Sequence, residues 1–201
     1  MTVTAVAPVN KQKSRVFVDE GFSFVLYNGE IARLKIEEGM ELTDALYARI
    51  ETDILNRRAR ERSVDLLKAS DKSEAQIRRR LMEDGFPEPV VERTVALLKK
   101  HRYLNDQAFA GRYVEYQSAS KSRRQIEWEL RGKGVDGETV REALREAPPE
   151  EDLIRRLVKK RAGTTEGLTR EQLYQLYTYL GRKGFSYEAI RRVLGEPCAE
   201  E

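Results

Sequence analysis

Two periods of apolar residues divide the chain. From Arg15 to Leu26 the pattern alternates. Arg15-Val16-Phe17-Val18 predicts a strand, Asp19-Glu20-Gly21 a turn, and Phe22-Ser23-Phe24-Val25-Leu26 the returning strand, with Phe22, Phe24 and Leu26 on one face. A lone hairpin is marginal in water, so it must pack on something. Asn28-Gly29 predicts another turn, and Ile31, Leu34, Ile36, Met40 and Leu42 supply either a short helix or a third strand to cover the hairpin. Met1 to Gln12, small and polar, are expected to be disordered. At Thr43, a good N-cap, the period becomes helical with Leu46, Ile50, Ile54 and Leu55, and no strand signal returns after it.

The helical part repeats itself. Ile77, Leu81, Gly85, Phe86, Val91 and Val95 stand at the same offsets as Ile126, Leu130, Gly134, Val135, Val140 and Leu144. They match again in Leu176, Leu180, Gly184, Phe185, Ile190 and Leu194, with starts 49 and 50 residues apart. Each copy predicts a helix pair. Two apolar residues lie one turn apart, a glycine at the left-handed position ends the helix, the next apolar residue pins the corner, and two more lie on the following helix. Ser73 with Gln76 and Thr169 with Gln172 have capping-box spacing, and Asp106, Asp136 and Ser186 are expected single caps. A further helix precedes each pair, over 58–69, 106–117 and 151–162.

The expected fold class is therefore mainly α: three tandem three-helix repeats in an elongated curved array, preceded by a small N-terminal β-hairpin region. The expected divisions are 1–14 disordered, 15–42 hairpin region, 43–56 linking helix, 57–105, 106–147 and 148–196 the repeats, and 197–201 a tail. Such small modules bury little surface alone and are expected to support one another.

Composition narrows the function. Of 201 residues, 35% are charged and 40% hydrophobic, more charge and less apolar content than an ordinary globular chain. No run of about 18 apolar residues predicts a membrane span, and the first ten residues lack the pattern of a secretory signal. A single cysteine, Cys198, excludes an internal disulfide and fits a reducing cytoplasm, and Cys198 is expected to do nothing structural. With one histidine, His101, expected on the surface, most metal chemistry and His-based catalysis lose their ligands. Arg131-Gly132-Lys133-Gly134 lacks phosphate-loop spacing, and no carboxylate pair marks an acid–base site. The expectation is a protein without enzymatic activity, cofactor or metal, acting as a monomer on a partner's surface.

Charge says where. The net +3 conceals −3 over 1–56, +5 over 57–105, zero over 106–147 and +1 over 148–201. The basic stretch of Arg57, Arg58, Arg60, Arg62, Arg78, Arg79, Arg80, Arg93, Lys99, Lys100 and Arg102 reads either as solvated helix faces paired with Glu61, Glu74, Glu83 and Asp84, or as a site for DNA or an acidic protein groove. Arg78, Arg79 and Arg80 are consecutive and cannot all point inward on a helix. Lys121, Ser122, Arg123 and Arg124 open a helix whose dipole opposes their charge, which argues for contact with phosphate or carboxylate. Trp128 occupies a position that is Arg79 and Thr178 in the other copies, so it reads as an exposed anchor or an inter-repeat contact. Tyr103, Tyr113, Tyr116, Tyr174, Tyr177, Tyr179 and Tyr187 are expected in helical cores rather than as base-stacking platforms. The candidate partner-binding residues are Arg78, Arg79, Arg80, Lys99, Lys100, Arg102, Lys121, Arg123, Arg124 and Trp128.

One run of residues resembles a known family. Tyr103-Leu104-Asn105-Asp106, Phe109-Ala110 and Tyr113 are followed by Lys121-Ser122, Ile126, Leu130, Lys133-Gly134-Val135, Val140 and Ala143-Leu144. Together they resemble the middle of RecX, the regulatory protein of the bacterial recombinase RecA. Arg15 to Leu26, with Gly39 and Leu42, is similar to the β-hairpin prelude of part of that family, so the likeness covers nearly the whole chain. The first repeat departs from the usual basic residue and serine before its second helix, having Ser70-Asp71-Lys72-Ser73 with Gln76-Ile77. The resemblance implies a non-enzymatic modulator lying in the helical groove of the RecA–DNA filament. It further implies inhibition of ATPase, strand-exchange and co-protease activities, and so restraint of recombination and the SOS response. The alternative class is a direct DNA-binding protein using helix-turn-helix-like modules, which should be strongly basic in every repeat.

Overall fold

The computed structural model describes residues 1–195. Cys198 and the tail lie outside them. The chain divides into two compact units, 1–105 and 106–201.

The first unit opens with a three-stranded antiparallel sheet in the order β1 (Val3–Pro8), β2 (Lys13–Val18), β3 (Ser23–Tyr27). The β2–β3 hairpin matches expectation, joined by a short 3-10 turn over Asp19–Gly21. The disorder expected before residue 15 does not hold. Val3 pairs with Val18 and Val6 with Val16, and Asn10 Oδ1 accepts the backbone N–H groups of Gln12 and Lys13 at 2.9 and 3.0 Å to close the β1–β2 turn. The buried Val3 side chain supplies the reason, since it reaches the same core as Val16 and Phe24. The second turn expected at Asn28-Gly29 is instead the start of a helix, α1 (Asn28–Leu34), where Glu30 accepts the Tyr27 backbone N–H at 2.8 Å.

Thr43 caps α2 (Asp44–Ile50), its hydroxyl accepting from the Leu46 N–H at 3.2 Å. The helix continues through one π turn, Glu51–Leu55, in which the Asn56 N–H reaches back five residues to the Glu51 carbonyl, and then into α3 (Asn56–Ala69). The widened turn lets both Ile54 and Leu55 face the core. With α4 (Glu74–Glu83) and α5 (Glu88–Lys100), α3 makes the first repeat, whose core is continuous with the sheet through Phe24, Leu26, Ile77 and Leu81.

The second unit holds α6 (Asp106–Gln117), α7 (Arg123–Gly132) and α8 (Gly137–Arg145) around one core, and α9 (Glu151–Ala162), α10 (Arg170–Arg182) and α11 (Tyr187–Leu194) around another. Ser73, Thr169, Asp136 and Ser186 cap as expected. Asp106 differs, lying inside the first turn of α6 where its charge meets the positive helix end.

The repeat proves to be one hydrogen-bonded corner used three times. Gly85, Gly134 and Gly184 have φ of 88°, 81° and 87°. Their N–H groups bond to the carbonyls of Met82, Arg131 and Gly181 at 2.9–3.0 Å, and the next N–H, of Phe86, Val135 or Phe185, bonds to Leu81, Leu130 or Leu180 at 3.1–3.2 Å. This is the paired 6→1 and 5→2 closure of a Schellman corner, in which the residue after the glycine meets the last core position of the helix. Residue identity at offsets four, eight and nine follows directly from it.

Two of these glycines also receive a neighbour. A Cβ on Gly85 would stand 2.3 Å from Val25 Cγ2 of β3, and one on Gly184 2.8 Å from Ser122 Oγ. Ser122 caps α7 and donates to the Lys183 carbonyl at 2.7 Å, joining the second repeat to the third. Arg156 adds a bond to the Ala119 carbonyl at 3.1 Å.

Gly163, also at positive φ (76°), has open space around it. In urea unfolding followed by circular dichroism, G85A and G184A are expected to lose about 2–4 kcal/mol, from backbone strain plus steric overlap. G163A is expected to lose only about 1–2 kcal/mol from strain alone. Equal losses at all three would remove the close-approach role.

Candidate functional site

The ten candidate contact residues fall on α4, at or just beyond the end of α5, and on or just before α7, and the fold treats them differently. Arg78 turns along the seam between α4 and α5. Its guanidinium bonds to Glu74 and, at 2.7 and 3.0 Å, to both oxygens of Glu92, while Lys99 reaches Glu74 at 2.8 Å. Partial burial pushes the Glu74 carboxyl up, but hydrogen bonds from Lys99 and Arg78 outweigh it and hold it below the ordinary carboxylate range. The hydrogen bond from Arg78 likewise lowers Glu92. Arg78 and Lys99 thus staple α4 to α5.

Lys121 sits in a comparable network in the second repeat. Its ammonium bonds to both Glu129 oxygens at 2.8 and 2.7 Å, the Tyr113 hydroxyl donates to Glu129 at 2.6 Å, and Lys133 lies 5.1 Å over the Tyr113 ring. Burial and the Glu129 hydrogen bond push the Tyr113 hydroxyl up to about 12. Desolvation raises Glu129, but the bonds from Lys121 and Tyr113 more than offset it and leave it lowered.

Arg123 has a structural task despite its position at a helix N-terminus. Its Nη2 donates to the carbonyls of Ala147 and Pro148 at 2.7 and 3.3 Å, and its backbone N–H donates to Glu150 at 2.7 Å. The guanidinium therefore meets carbonyls just beyond the C-terminus of α8, where positive charge is favoured. The dipole argument read from the sequence considered only α7, and the stabilisation comes from a different helix end.

The remaining candidates face outward. Arg80 makes longer surface pairs with Glu83 at 3.3 Å and Asp84 at 3.5 Å, worth little energetically. Among the described residues, Arg79, Lys100, Arg102 and Arg124 have no side-chain ion pair or hydrogen bond, and all four are exposed. Trp128 is 75% exposed and so is not buried in an inter-repeat contact. Arg102 is unusual in backbone as well. At φ 61° it fills the corner position that glycine holds elsewhere, with its N–H on the Lys99 carbonyl and that of Tyr103 on Leu98, at 2.9 and 2.8 Å.

One sequence expectation changes. Four of the seven tyrosines, Tyr103, Tyr116, Tyr174 and Tyr187, are 56–79% exposed, because Tyr116, Tyr174 and Tyr187 fall on outward helix faces and Tyr103 on the turn between α5 and α6. Within the basic stretch, Arg58 bonds to Glu30 at 3.0 Å and stacks 4.3 Å from the Tyr27 ring, and Arg62 bonds to Asp84 at 2.7 Å. These two arginines bind the prelude and the α4 corner to α3. Arg60 and Arg93, grouped in the sequence only by sign of charge, border a common groove with Lys100. No periodicity within one helix signals a site made by two.

Comparison with known proteins places this arrangement among relatives. The RecX first, second and third three-helix domains match residues 59–98, 105–144 and 149–194. Regulatory protein RecX of Caldanaerobacter subterraneus subsp. tengcongensis is 30% identical over 199 residues, which span 96% of this chain and 98% of that protein. Regulatory protein RecX of Clostridioides difficile is 25% identical, over 93% and 90%. A crystal structure of regulatory protein RecX has the same fold, with a TM-score of 0.64 at 23% identity, covering 96% of this chain and 98% of that one. That of RecX from Lactobacillus salivarius gives 0.65 at 19%, covering 69% and 94%.

Two outcomes test the division of labour among these side chains. Because folding lowers the Glu129 pKa, its contribution is complete above its ordinary value of 4.5 and fades as pH falls through the folded value. E129Q is expected to cost about 1–3 kcal/mol at pH 7 and to flatten the acid limb of a stability-versus-pH curve, whereas parallel limbs would refute the linkage. R102G relieves the left-handed backbone and is expected to raise stability by about 0.5–1 kcal/mol in thermal melts. A decrease would reveal a stabilising guanidinium contact.

Proposed function

The chain belongs to the RecX family, and from that premise we propose that it is a regulator that binds the RecA–DNA filament, in its helical groove, and inhibits its ATPase, recombinase and co-protease activities. In this role it restrains recombination and the SOS response, acting as a cytoplasmic monomer without catalysis of its own. The observation that carries the reading is the division among the cations. Arg78, Lys99, Lys121 and Arg123 are occupied inside the fold. Arg79, Lys100, Arg102 and Arg124, with the exposed indole of Trp128, are left for a partner. They lie on the first two repeats, which supports contact with a composite protein–DNA surface rather than a basic coat along bare DNA. No described helix is long and apolar enough to cross a membrane.

The test is RecA ATPase on single-stranded DNA with and without this protein. Inhibition is expected, and an unaltered rate would sink the reading. R79E with R124E, and separately W128A, should each weaken inhibition about tenfold without loss of helicity. Binding to naked DNA that equals binding to the filament, and falls steeply with salt, would favour a direct DNA-binding protein instead.

A further inference from the structure

The first unit contains a groove that none of its ion-pair networks fills. One wall is Thr52 on the π turn with Asn56 and Arg60 on α3. The other is Arg93, Ala96, Leu97 and Lys100, which share one face of α5. The space measures 470 Å³. Its apolar surface comes from Ala96, exposed, and Leu97, half-buried. Its rim carries three cations. Glu51, at the start of the π turn, pairs with Arg93 and fixes it at the edge, while Arg60 and Lys100 have no acidic partner among the described residues. A π turn interrupts a helix at some cost and recurs at functional sites. Here it both sets Glu51 against Arg93 and brings Thr52 to the wall.

We propose that this groove receives an acidic segment of a protein partner, with an apolar side chain seated on Ala96 and Leu97 and carboxylates facing Arg60, Arg93 and Lys100. The pairing follows from charge and from shape. Two helix faces with an apolar strip and a cationic rim match the helix-in-groove mode of recognition. A nucleic-acid strand fits less well, because no aromatic side chain lines the groove for a base to stack on and the apolar strip of Ala96 and Leu97 has no counterpart on a phosphate backbone. The inference rests on the regulatory reading above and deepens it, by assigning this surface to the protein component of the filament rather than to its DNA.

The test uses the whole chain with two variants, A96E, which fills and acidifies the groove, and R60E/K100E, which reverses the two unpaired cations. All three positions are on exposed helix faces, and helicity is checked by circular dichroism. Binding is measured to the RecA–DNA filament by co-sedimentation and to oligodeoxythymidylate alone by fluorescence anisotropy. Each variant should weaken filament binding about tenfold, while A96E leaves oligonucleotide affinity within about twofold. R60K/K100R should restore filament binding. Unchanged filament binding by both variants, with the wild type bound, overturns the groove and spares the regulatory reading. An equal loss of oligonucleotide affinity in A96E shows a nucleic-acid site and also overturns it. A wild-type chain that fails to sediment with the filament overturns the regulatory reading, and the groove falls with it.

Discussion

The left-handed glycine corner is the constraint on which the helical structure depends. A helix that ends within about ten residues leaves its last carbonyls unsatisfied, and the corner recovers two of them by turning the chain at Gly85, Gly134 and Gly184. That closure sets the residue before it, Leu81, Leu130 or Leu180, against the one after it, Phe86, Val135 or Phe185, and all six are buried. Because glycine has no side chain, the corner is also a place where something else can come close. Val25 does so at Gly85 and Ser122 at Gly184. One residue thus ends a helix, aims the next and makes room for a preceding element.

High charge content acquires a physical meaning in the same way. Small cores leave most side chains near solvent, and many cations are spent on joints. Arg58 and Arg62 secure α3, Arg78 and Lys99 join α4 to α5, Lys121 steadies α7, and Arg123 closes α8. The value of each lies in partial burial, shared hydrogen bonds and paired acceptors rather than in bare attraction between surface charges. The cations without such partners are the informative ones, since nothing within the described fold explains them.

The helical architecture was legible because its rules are local. Caps at Ser73, Asp136, Thr169 and Ser186, positive φ at the three glycines and helical apolar spacing all act within a few residues. The misreadings arose where distant residues decide. Val3–Pro8 forms a strand because β2 offers it an edge and the core takes Val3. Arg123 is held by carbonyls more than twenty residues away. The candidate site was legible as a list of cations, not as a division between occupied and available ones.

By itself, then, the order of residues determined the three repeats, their corners and caps, and the excess of positive charge in the first. Each is set by backbone geometry or composition over short distances. Tertiary structure alone decided that the N-terminus completes a sheet, that a π turn faces α5 across a groove, and which arginines are consumed in holding the fold. Those outcomes depend on which groups from separate helices come within hydrogen-bonding distance, and a linear pattern carries no information about that distance until the core has closed.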